Sequence, residues 1–180
     1  LLMTDEKFAI STFAEIVEHG EHLEHFHSFQ HLEVNNDADA LDEEAVDVRT
    51  IDFHLDQGMF LVFAPGRMTH QDPSQTTSLS TGFLVELPGG ASALVDFDDE
   101  DDLVILLGDG VNQYVNPHLA DNQALRALPH ALVLPKHSPN NARVWYGRMV
   151  LPPALAVHPQ NGKTFSELRE NLIRASTISV

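Results

Sequence analysis

Hydrophobic residues recur along the chain with two different periods. In the N-terminal part they recur at roughly helical spacing, and Thr12 followed by Glu15 forms a candidate capping box. These features predict one amphipathic helix whose apolar positions are Phe13, Ile16, Val17, Leu23, Phe26 and Phe29. The acidic string NNDADALDEEA follows this pattern and indicates a loop.

From Val46 onward the pattern changes to short runs rich in Val, Ile, Leu and Phe, separated by Gly, Pro, Asn and Asp. Such runs are typical of β-strands bounded by turns. We expect strands within VDVRTIDF, GMFLVFA, GFLVELP, SALVDF, DLVILLG, VNQYVN, HALVLP and ARVWYGRMVLP. Short strands at this spacing, with no long helical pattern between them, favour a β-sandwich or a double-sheet jelly roll.

The chain ends in a second helical pattern. Thr164 and Glu167 form another candidate capping box, which opens a helix through FSELRENLIRAS. A chain of 180 residues with 43% hydrophobic content is long enough to bury one core. We therefore expect a single, mainly β domain with a helix at each end. Its parts are an N-terminal helix and acidic loop (1–45), a β-barrel core (46–153) and a C-terminal helix (154–180).

Charge and composition narrow the classes of function. The formal net charge of -17 would repel a phosphate backbone, so nucleic acid is not an expected partner. Because the chain has no cysteine, a metal must be held by His, Asp or Glu. We see neither a signal peptide nor a transmembrane run, and expect a soluble, intracellular protein. The oligomeric state is not indicated.

Three residues form a candidate metal site. His54 and Asp56 are two positions apart in an extended segment, so their side chains project to the same face. His130 lies at the start of a later strand pattern. Two imidazoles and one carboxylate are the donors of the facial triad that binds Fe(II) with open coordination positions. The alternative for an isolated His-x-Asp is a hydrogen-bonded histidine in the core.

The neighbouring sequence resembles the isopenicillin N synthase-like group of Fe(II)/2-oxoglutarate-dependent oxygenases. Four segments match that group in the same order: HLDQGMFLVFAPG, DDLVILLGDGVNQYVN, LRALPHAL and RVWYGRMVLPP. Besides the triad, the positions in register are Gly108, Asp109, Asn116, Arg126, Ala127, Arg143 and Pro152. The matched region covers roughly residues 46–153.

This resemblance implies a double-stranded β-helix with His54, Asp56 and His130 as iron ligands. It implies that Arg143 binds the distal carboxylate of 2-oxoglutarate. With Fe(II), 2-oxoglutarate and O2, such an enzyme oxidises a small-molecule substrate and releases succinate and CO2. Asn112 and Tyr114 occupy alternate positions of a predicted strand, where the group places residues near the cosubstrate; packing explains them equally well.

Two positions depart from the group. Trp145 replaces the serine of its Arg-x-Ser pair, and Ala131 replaces the arginine after the distal histidine. Arg148 is a rival for the carboxylate role, but its odd separation from Arg143 places it on the other face of a regular strand. Two alternatives therefore stay open: a non-catalytic jelly-roll binding or scaffold domain, and an iron oxygenase that does not use 2-oxoglutarate.

Two further features carry weaker expectations. The histidines His19, His22, His25, His27 and His31 are expected on an exposed helix face, with a second metal site as the less favoured alternative. The insertion from Pro65 to Thr81 is long and is a candidate lid.

Overall fold

The computed structural model describes residues 2–3, 9–10, 12–30, 49–70, 78–79, 82–134 and 141–178. The predicted acidic loop lies outside these residues, as do residues 71–77, 80 and 81 of the candidate lid.

The elements follow one another along the chain as mostly short strands with one helix near each end. The first part contains β1 (Leu2–Met3), β2 (Ala9–Ile10), α1 (Phe13–His19), β3 (His22–Gln30), β4 (Ile51–His54), β5 (Phe60–Phe63), β6 (Arg67–His70) and β7 (Ser78–Leu79). The second contains β8 (Phe83–Glu86), β9 (Ser92–Leu94), β10 (Val104–Leu107), three short helical turns (Val111–Val115, Asn116–His118, Asp121–Gln123), β11 (His130–Leu132), β12 (Asn141–Val150) and α2 (Phe165–Ile178).

Two antiparallel sheets form the body of the domain. In the larger sheet, β12 pairs along one edge with β5 and β6, which continue to β10 and β7, and along its other edge with β3. The smaller sheet has the order β4-β11-β8-β9. This arrangement is a double-stranded β-helix, or jelly roll, with a flanking helix near each end, and it confirms the expected fold class.

Strand β5 is buried on both faces and divides the core into two clusters. Phe60 and Val62 pack with one cluster, which includes Met59, Val111 and Tyr114. The alternate residues Leu61 and Phe63 pack with the other, which includes Leu106, Met149 and Leu151. Because successive side chains of a strand point to opposite faces, one strand joins both clusters.

The predicted N-terminal helix is correct in its first part and wrong in its second. Glu15 N donates to Thr12 Oγ1 over 3.2 Å, and Thr12 N donates to Glu15 Oε2 over 3.0 Å, so the capping box forms. The helix α1 ends at His19, however, and Leu23, Phe26 and Phe29 lie in β3. This segment pairs with β12 along all 9 residues, and that pairing outweighs the weak helical spacing.

The predicted strand VNQYVN is also wrong. Residues Val111–Val115 form a π-helical turn, in which Val111 is 0% and Tyr114 is 2% exposed. Burial three residues apart fits a helical rather than an alternating pattern. Each of the other predicted runs overlaps an observed strand, and the capping box of Thr164 and Glu167 opens α2 as expected. Within the described part of the chain, no helix is long and apolar enough to cross a membrane.

Candidate metal centre

Sheet pairing brings the two histidines of the predicted triad together. His54 is the last residue of β4 and His130 is the first of β11, and the two are direct partners in the antiparallel register. Directly opposite side chains of paired strands are close neighbours. Their rings accordingly lie 4.4 Å apart between centroids. Asp56 follows His54 by two residues and completes the group.

The donor atoms of the three residues converge on a common space. Asp56 Oδ1 lies 3.7 Å from His54 Nε2, and Asp56 Oδ2 lies 3.8 Å from His130 Nε2. All three donors lie within 4.8 Å of one another, and no other group of three such side chains does so among the described residues. These separations exceed hydrogen-bond lengths and fit donors arranged around an ion.

Backbone carbonyl groups fix the orientation of both imidazoles. His54 Nδ1 lies 2.8 Å from Asp52 O, and His130 Nδ1 lies 3.3 Å from Leu128 O. Because a carbonyl oxygen can only accept, each Nδ1 carries a hydrogen, and in the neutral form of each ring Nε2 presents a lone pair. This is the tautomer in which histidine binds a metal through Nε2.

The carboxylate lacks the partners that burial normally demands. Asp56 is 14% exposed in its side chain, and its buried Oδ2 atom has no hydrogen-bond partner. Since both neighbouring Nε2 atoms are acceptors in the tautomers above, they cannot satisfy this oxygen. A buried carboxylate without a partner is costly, and a cation would remove that cost. The donor set therefore fits a divalent metal ion.

Electrostatics favour the uncharged form of the inner histidine. Burial lowers the pKa of His130 from its ordinary value, although the Asp56 carboxylate and the hydrogen bond to Leu128 act in the opposite direction. The neutral imidazole is the form that binds a metal. The side chain of His54 is 41% exposed whereas that of His130 is 9% exposed, so the centre is accessible from the His54 side.

A backbone contact between two loops holds Asp56 in place. Asp109 N donates to Asp56 O over 2.6 Å, and Gly110 N donates to Gly58 O over 2.9 Å. A Cβ atom at Gly108 would lie 2.7 Å from Asp56 O, so only glycine permits this approach. Gly108 and Asp109, two of the positions in register with the resembling group, thus position Asp56 through its backbone oxygen.

The centre opens into a cavity of about 180 Å3 between the sheets. Its walls are largely apolar and include Leu61, Phe63 and Phe83. Arg143 lines the cavity from β12 and is only 3% exposed. Burial lowers its pKa to about 10, so the guanidinium stays charged at neutral pH. The structure thus places His54, Asp56, His130 and Arg143 around one cavity.

Arg148, the rival arginine, lies elsewhere. Its side chain is 49% exposed, and its Nη2 atom lies 2.6 Å from Glu24 Oε1. The odd separation of Arg148 from Arg143 puts the two side chains on opposite faces of β12, as strand alternation predicts.

Asn112 and Tyr114 do not line this cavity. The exposed amide of Asn112 donates to Asp109 Oδ1 over 2.9 Å and accepts from Asn116 Nδ2 over 3.0 Å. Tyr114 packs in the core beside Phe165, and burial raises the pKa of its hydroxyl. The strand that would have directed both side chains inward is a helical turn instead.

The sequence interpretation missed the histidines that line the cavity from β3, which are His25 and His27. Trp145, the partner of His27 in β12, also lines the cavity. The signal was the alternation in HLEHFHSFQ, where residues 25, 27 and 29 share the less exposed face. The helical interpretation of this segment placed the same histidines on an exposed surface.

The two antiparallel sheets, with the metal-binding group beside the cavity between them, define a jelly-roll domain. A Shewanella oneidensis protein described as an oxygenase matches with a TM-score of 0.58 and 15% identity, over 89% of this chain and 50% of that one. A full-length Neurospora crassa protein solved in complex with alpha-KG matches with a TM-score of 0.50 and 14% identity, over 71% and 38%.

These likenesses establish the fold, and the chain spans half or less of the length of either structure. No family model and no curated protein sequence matches the chain. The comparisons agree with an oxygenase-like jelly roll in general and do not single out the isopenicillin N synthase-like group.

Proposed function

We propose that the protein is an Fe(II)- and 2-oxoglutarate-dependent oxygenase that oxidises a small molecule. The observation that supports this most strongly is the group of His54, Asp56 and His130, with both imidazoles in the metal-binding tautomer and Asp56 Oδ2 buried without a partner. The four ordered sequence segments further support a place in the isopenicillin N synthase-like group.

In this proposal the three residues hold the iron from one side. Two histidines and one carboxylate occupy half of the coordination positions and leave the others for cosubstrate and O2. When bound, the iron would couple activation of O2 to oxidative decarboxylation of 2-oxoglutarate, which gives succinate and CO2. The protein contributes donors that the sheet and the backbone hold in place before the metal arrives.

Arg143 would bind the distal carboxylate of the cosubstrate. A divalent ion at the triad would attract one carboxylate of 2-oxoglutarate, and the Arg143 guanidinium would attract the other. The apolar walls strengthen both attractions by excluding water. The likeness to a structure that contains alpha-KG, another name for 2-oxoglutarate, supports 2-oxoglutarate as the cosubstrate.

An anaerobic titration tests the proposal directly. We expect Fe(II) to bind, and subsequent 2-oxoglutarate to produce the visible absorption of an iron chelate. Loss of a residue that only hydrogen-bonds a metal ligand typically weakens metal binding about 10- to 100-fold. His54→Ala and Asp56→Ala remove the ligands themselves and should weaken iron binding by more than that. His118→Ala, at an exposed position outside the cavity, is the matched control and should behave as the parent protein.

Each alternative function predicts a different result in the same titration. A scaffold domain would bind no iron, whereas an oxygenase of another type would bind iron without forming the 2-oxoglutarate chelate. Succinate release in the presence of Fe(II), 2-oxoglutarate, O2 and ascorbate provides the activity measurement. Undiminished succinate release by Asp56→Ala would contradict the assigned ligands.

A further inference from the structure

A second cavity adjoins the metal-binding cavity and has a different wall. Its volume is about 700 Å3, within the roughly 300–1,000 Å3 that is usual for small-ligand sites, whereas the metal cavity measures about 180 Å3. Met149 lines both cavities, and Gln57, the residue after Asp56, lines the second. Neither the metal-binding group nor Arg143 belongs to the wall of the second cavity. The iron and its cosubstrate therefore do not account for this space.

The hydroxyl of Tyr114 is a buried donor without a partner. Tyr114 lines the second cavity and is 2% exposed, and its Oη atom makes no hydrogen bond within the described part of the chain. Burial raises the pKa of this hydroxyl, so it keeps its proton at neutral pH. The ring lies edge-on against His158 and Phe165, with centroids 5.4 and 6.3 Å away, and both of these residues also line the cavity. An acceptor atom of a ligand beside this ring would satisfy the hydroxyl.

A short hairpin brings two more donors to the same end of the cavity. Residues 157–164 form it, and His158 N donates to Lys163 O over 2.8 Å across its turn. His158 Nδ1 accepts from Gln160 N over 3.2 Å, so the hydrogen of the neutral ring is on Nε2. His158 thus contacts the Tyr114 ring with its side chain and Lys163 through its backbone. Both hairpin residues line the cavity.

The wall of the second cavity differs in charge from the protein as a whole. The chain carries a formal net charge of -17, yet no aspartate or glutamate among the described residues lines this cavity. Its cationic residues are Lys163 and Arg169, and Arg169 is ion-paired with Glu21. Glu167, which also feels the charge of Lys163, accepts hydrogen bonds from Thr164. A cavity with three donors and no carboxylate at one end favours an anion.

An apolar surface continues from these donors. Phe165, whose ring contacts Tyr114, lines the cavity together with Leu168 of α2. Met149 and Leu151 form a further part of the wall and belong to one of the two core clusters. A hydrocarbon group placed against these side chains would be withdrawn from water, which is favourable.

We propose that the second cavity binds an organic anion with an apolar body. Its anionic group accepts hydrogen bonds from the Tyr114 hydroxyl, His158 Nε2 and the Lys163 ammonium. Its body packs against Met149 and Phe165. This binding does not require the iron, so the site stands apart from the proposed oxygenase function.

The test uses two probes of equal length and opposite charge, octanoate and octylammonium. Isothermal titration calorimetry measures their binding with and without Fe(II) under anaerobic conditions. The net charge of -17 favours the cation at any non-specific site, so a preference for the anion reports the local wall. We expect octanoate to bind about 5- to 10-fold more tightly than octylammonium, because one exposed charge attracts the first and repels the second. Fe(II) should leave the affinity for octanoate unchanged.

Three variants assign the contacts. Tyr114→Phe should weaken octanoate binding about 10- to 100-fold, the effect of losing a hydrogen bond to a charged group. It should not lower Tm, because the hydroxyl that it removes has no partner in the free protein. Lys163→Gln should weaken octanoate binding about 2- to 5-fold, as expected for one exposed charge. Arg148→Gln removes the same charge at an exposed position outside both cavities and should bind octanoate as the parent protein does.

Several results would overturn the proposal. One is the absence of octanoate binding, or equal binding of octylammonium. Another is octanoate binding that requires Fe(II) or is lost in His54→Ala, which would place the anion on the metal. A third is a lower Tm of Tyr114→Phe with unchanged affinity for octanoate, which would make the hydroxyl purely structural. A parent protein that forms no chelate with 2-oxoglutarate would contradict the proposed function and leave this site standing.

Discussion

Gly66 leaves the space in which the guanidinium of Arg143 lies. A Cβ atom at this position would be 2.5 Å from Arg143 Cζ, well inside contact distance. The guanidinium is the far end of a flexible side chain, so it can move without displacing the backbone. Its position therefore depends on a residue that contributes no side chain of its own.

We predict that Gly66→Ala displaces the guanidinium and weakens 2-oxoglutarate binding about 10- to 100-fold, because this is the usual effect of losing a hydrogen bond to a charged group. The chelate titration measures the change. Binding of 2-oxopentanoate, a 2-oxo acid without the distal carboxylate that Arg143 would bind, serves as the internal control and should change by no more than about twofold. Equal affinity of the parent and Gly66→Ala proteins for 2-oxoglutarate would contradict the inference that Gly66 determines the position of the guanidinium.

At the scale of the element, the start of α2 depends on a reciprocal pair of hydrogen bonds. Thr164 N donates to Glu167 Oε2 over 2.8 Å, and Glu167 N donates to Thr164 Oγ1 over 3.3 Å. The hydrogen bonds from the Thr164 backbone and side chain lower the pKa of Glu167 below its ordinary value of 4.5. The charged carboxylate is therefore the form that stabilises the helix.

The pH dependence of stability follows from the direction of this shift. A carboxyl group with a lowered pKa in the folded state stabilises the protein above pH 4.5, and this contribution is lost as the pH falls through the lowered value. Thermal unfolding of Glu167→Gln should therefore differ from that of the parent at pH 7, and the difference should disappear as the pH falls through the lowered pKa. A difference that persists in acid would exclude the charge as its source.

Removal of the Thr164 side chain, the other half of the capping box, measures how much the cap contributes to the free energy of unfolding. Thr164→Ala should lower the free energy of unfolding by about 1 kcal/mol at pH 7, the usual cost of losing an N-cap side chain. For 180 residues this corresponds to a fall in Tm of about 2–4 °C. An unchanged Tm would show that α2 gains nothing from this cap.

Elements with strong local signals were predictable from the sequence. The capping boxes of Thr12 and Thr164, and the apolar strands of the barrel, depend on neighbours only a few residues away. The same holds for His54 and Asp56, because their spacing alone puts both on one face. The Gly-Asp segment was also recognisable, although its backbone contacts with the Asp56 loop were not.

The unpredictable part of the site comes from long-range pairing. Strand β3 is rich in histidine rather than in Val or Ile, so its alternation carried no clear hydrophobic signal. Its conformation is determined by pairing with β12, and no pattern within the segment itself predicts that pairing. Consequently His25 and His27 were placed on an exposed helix, and their position beside Trp145 emerged only in the folded structure.

At the scale of the whole molecule, the metal-binding group connects separate parts of the smaller sheet. His54 ends β4, His130 begins β11, and Asp56 belongs to the loop that contacts Gly108 and Gly110. An ion bound by all three favours the folded state, because the unfolded chain does not hold these donors together.

We therefore predict that Fe(II) raises Tm in a concentration-dependent manner under anaerobic conditions. At a free metal concentration of about 100 times Kd, the added free energy of unfolding should be about 2.7 kcal/mol. A chelator should reverse the shift, and Asp56→Ala should show little of it. An equal rise in Tm for the Asp56→Ala protein would place the bound metal elsewhere.

The pairing of β3 with β12 also has a consequence for the order of assembly. Contacts between these strands join residues as distant as Tyr146 and Glu24, which are 122 positions apart. We expect such contacts to form later in folding than local ones, because closing a long loop costs entropy before the contacts between the strands stabilise the chain. During synthesis the chain emerges from its N-terminus, so all three metal donors leave the ribosome before Arg143 and Trp145. A nascent chain thus acquires its metal donors before it completes the wall that would bind the acid.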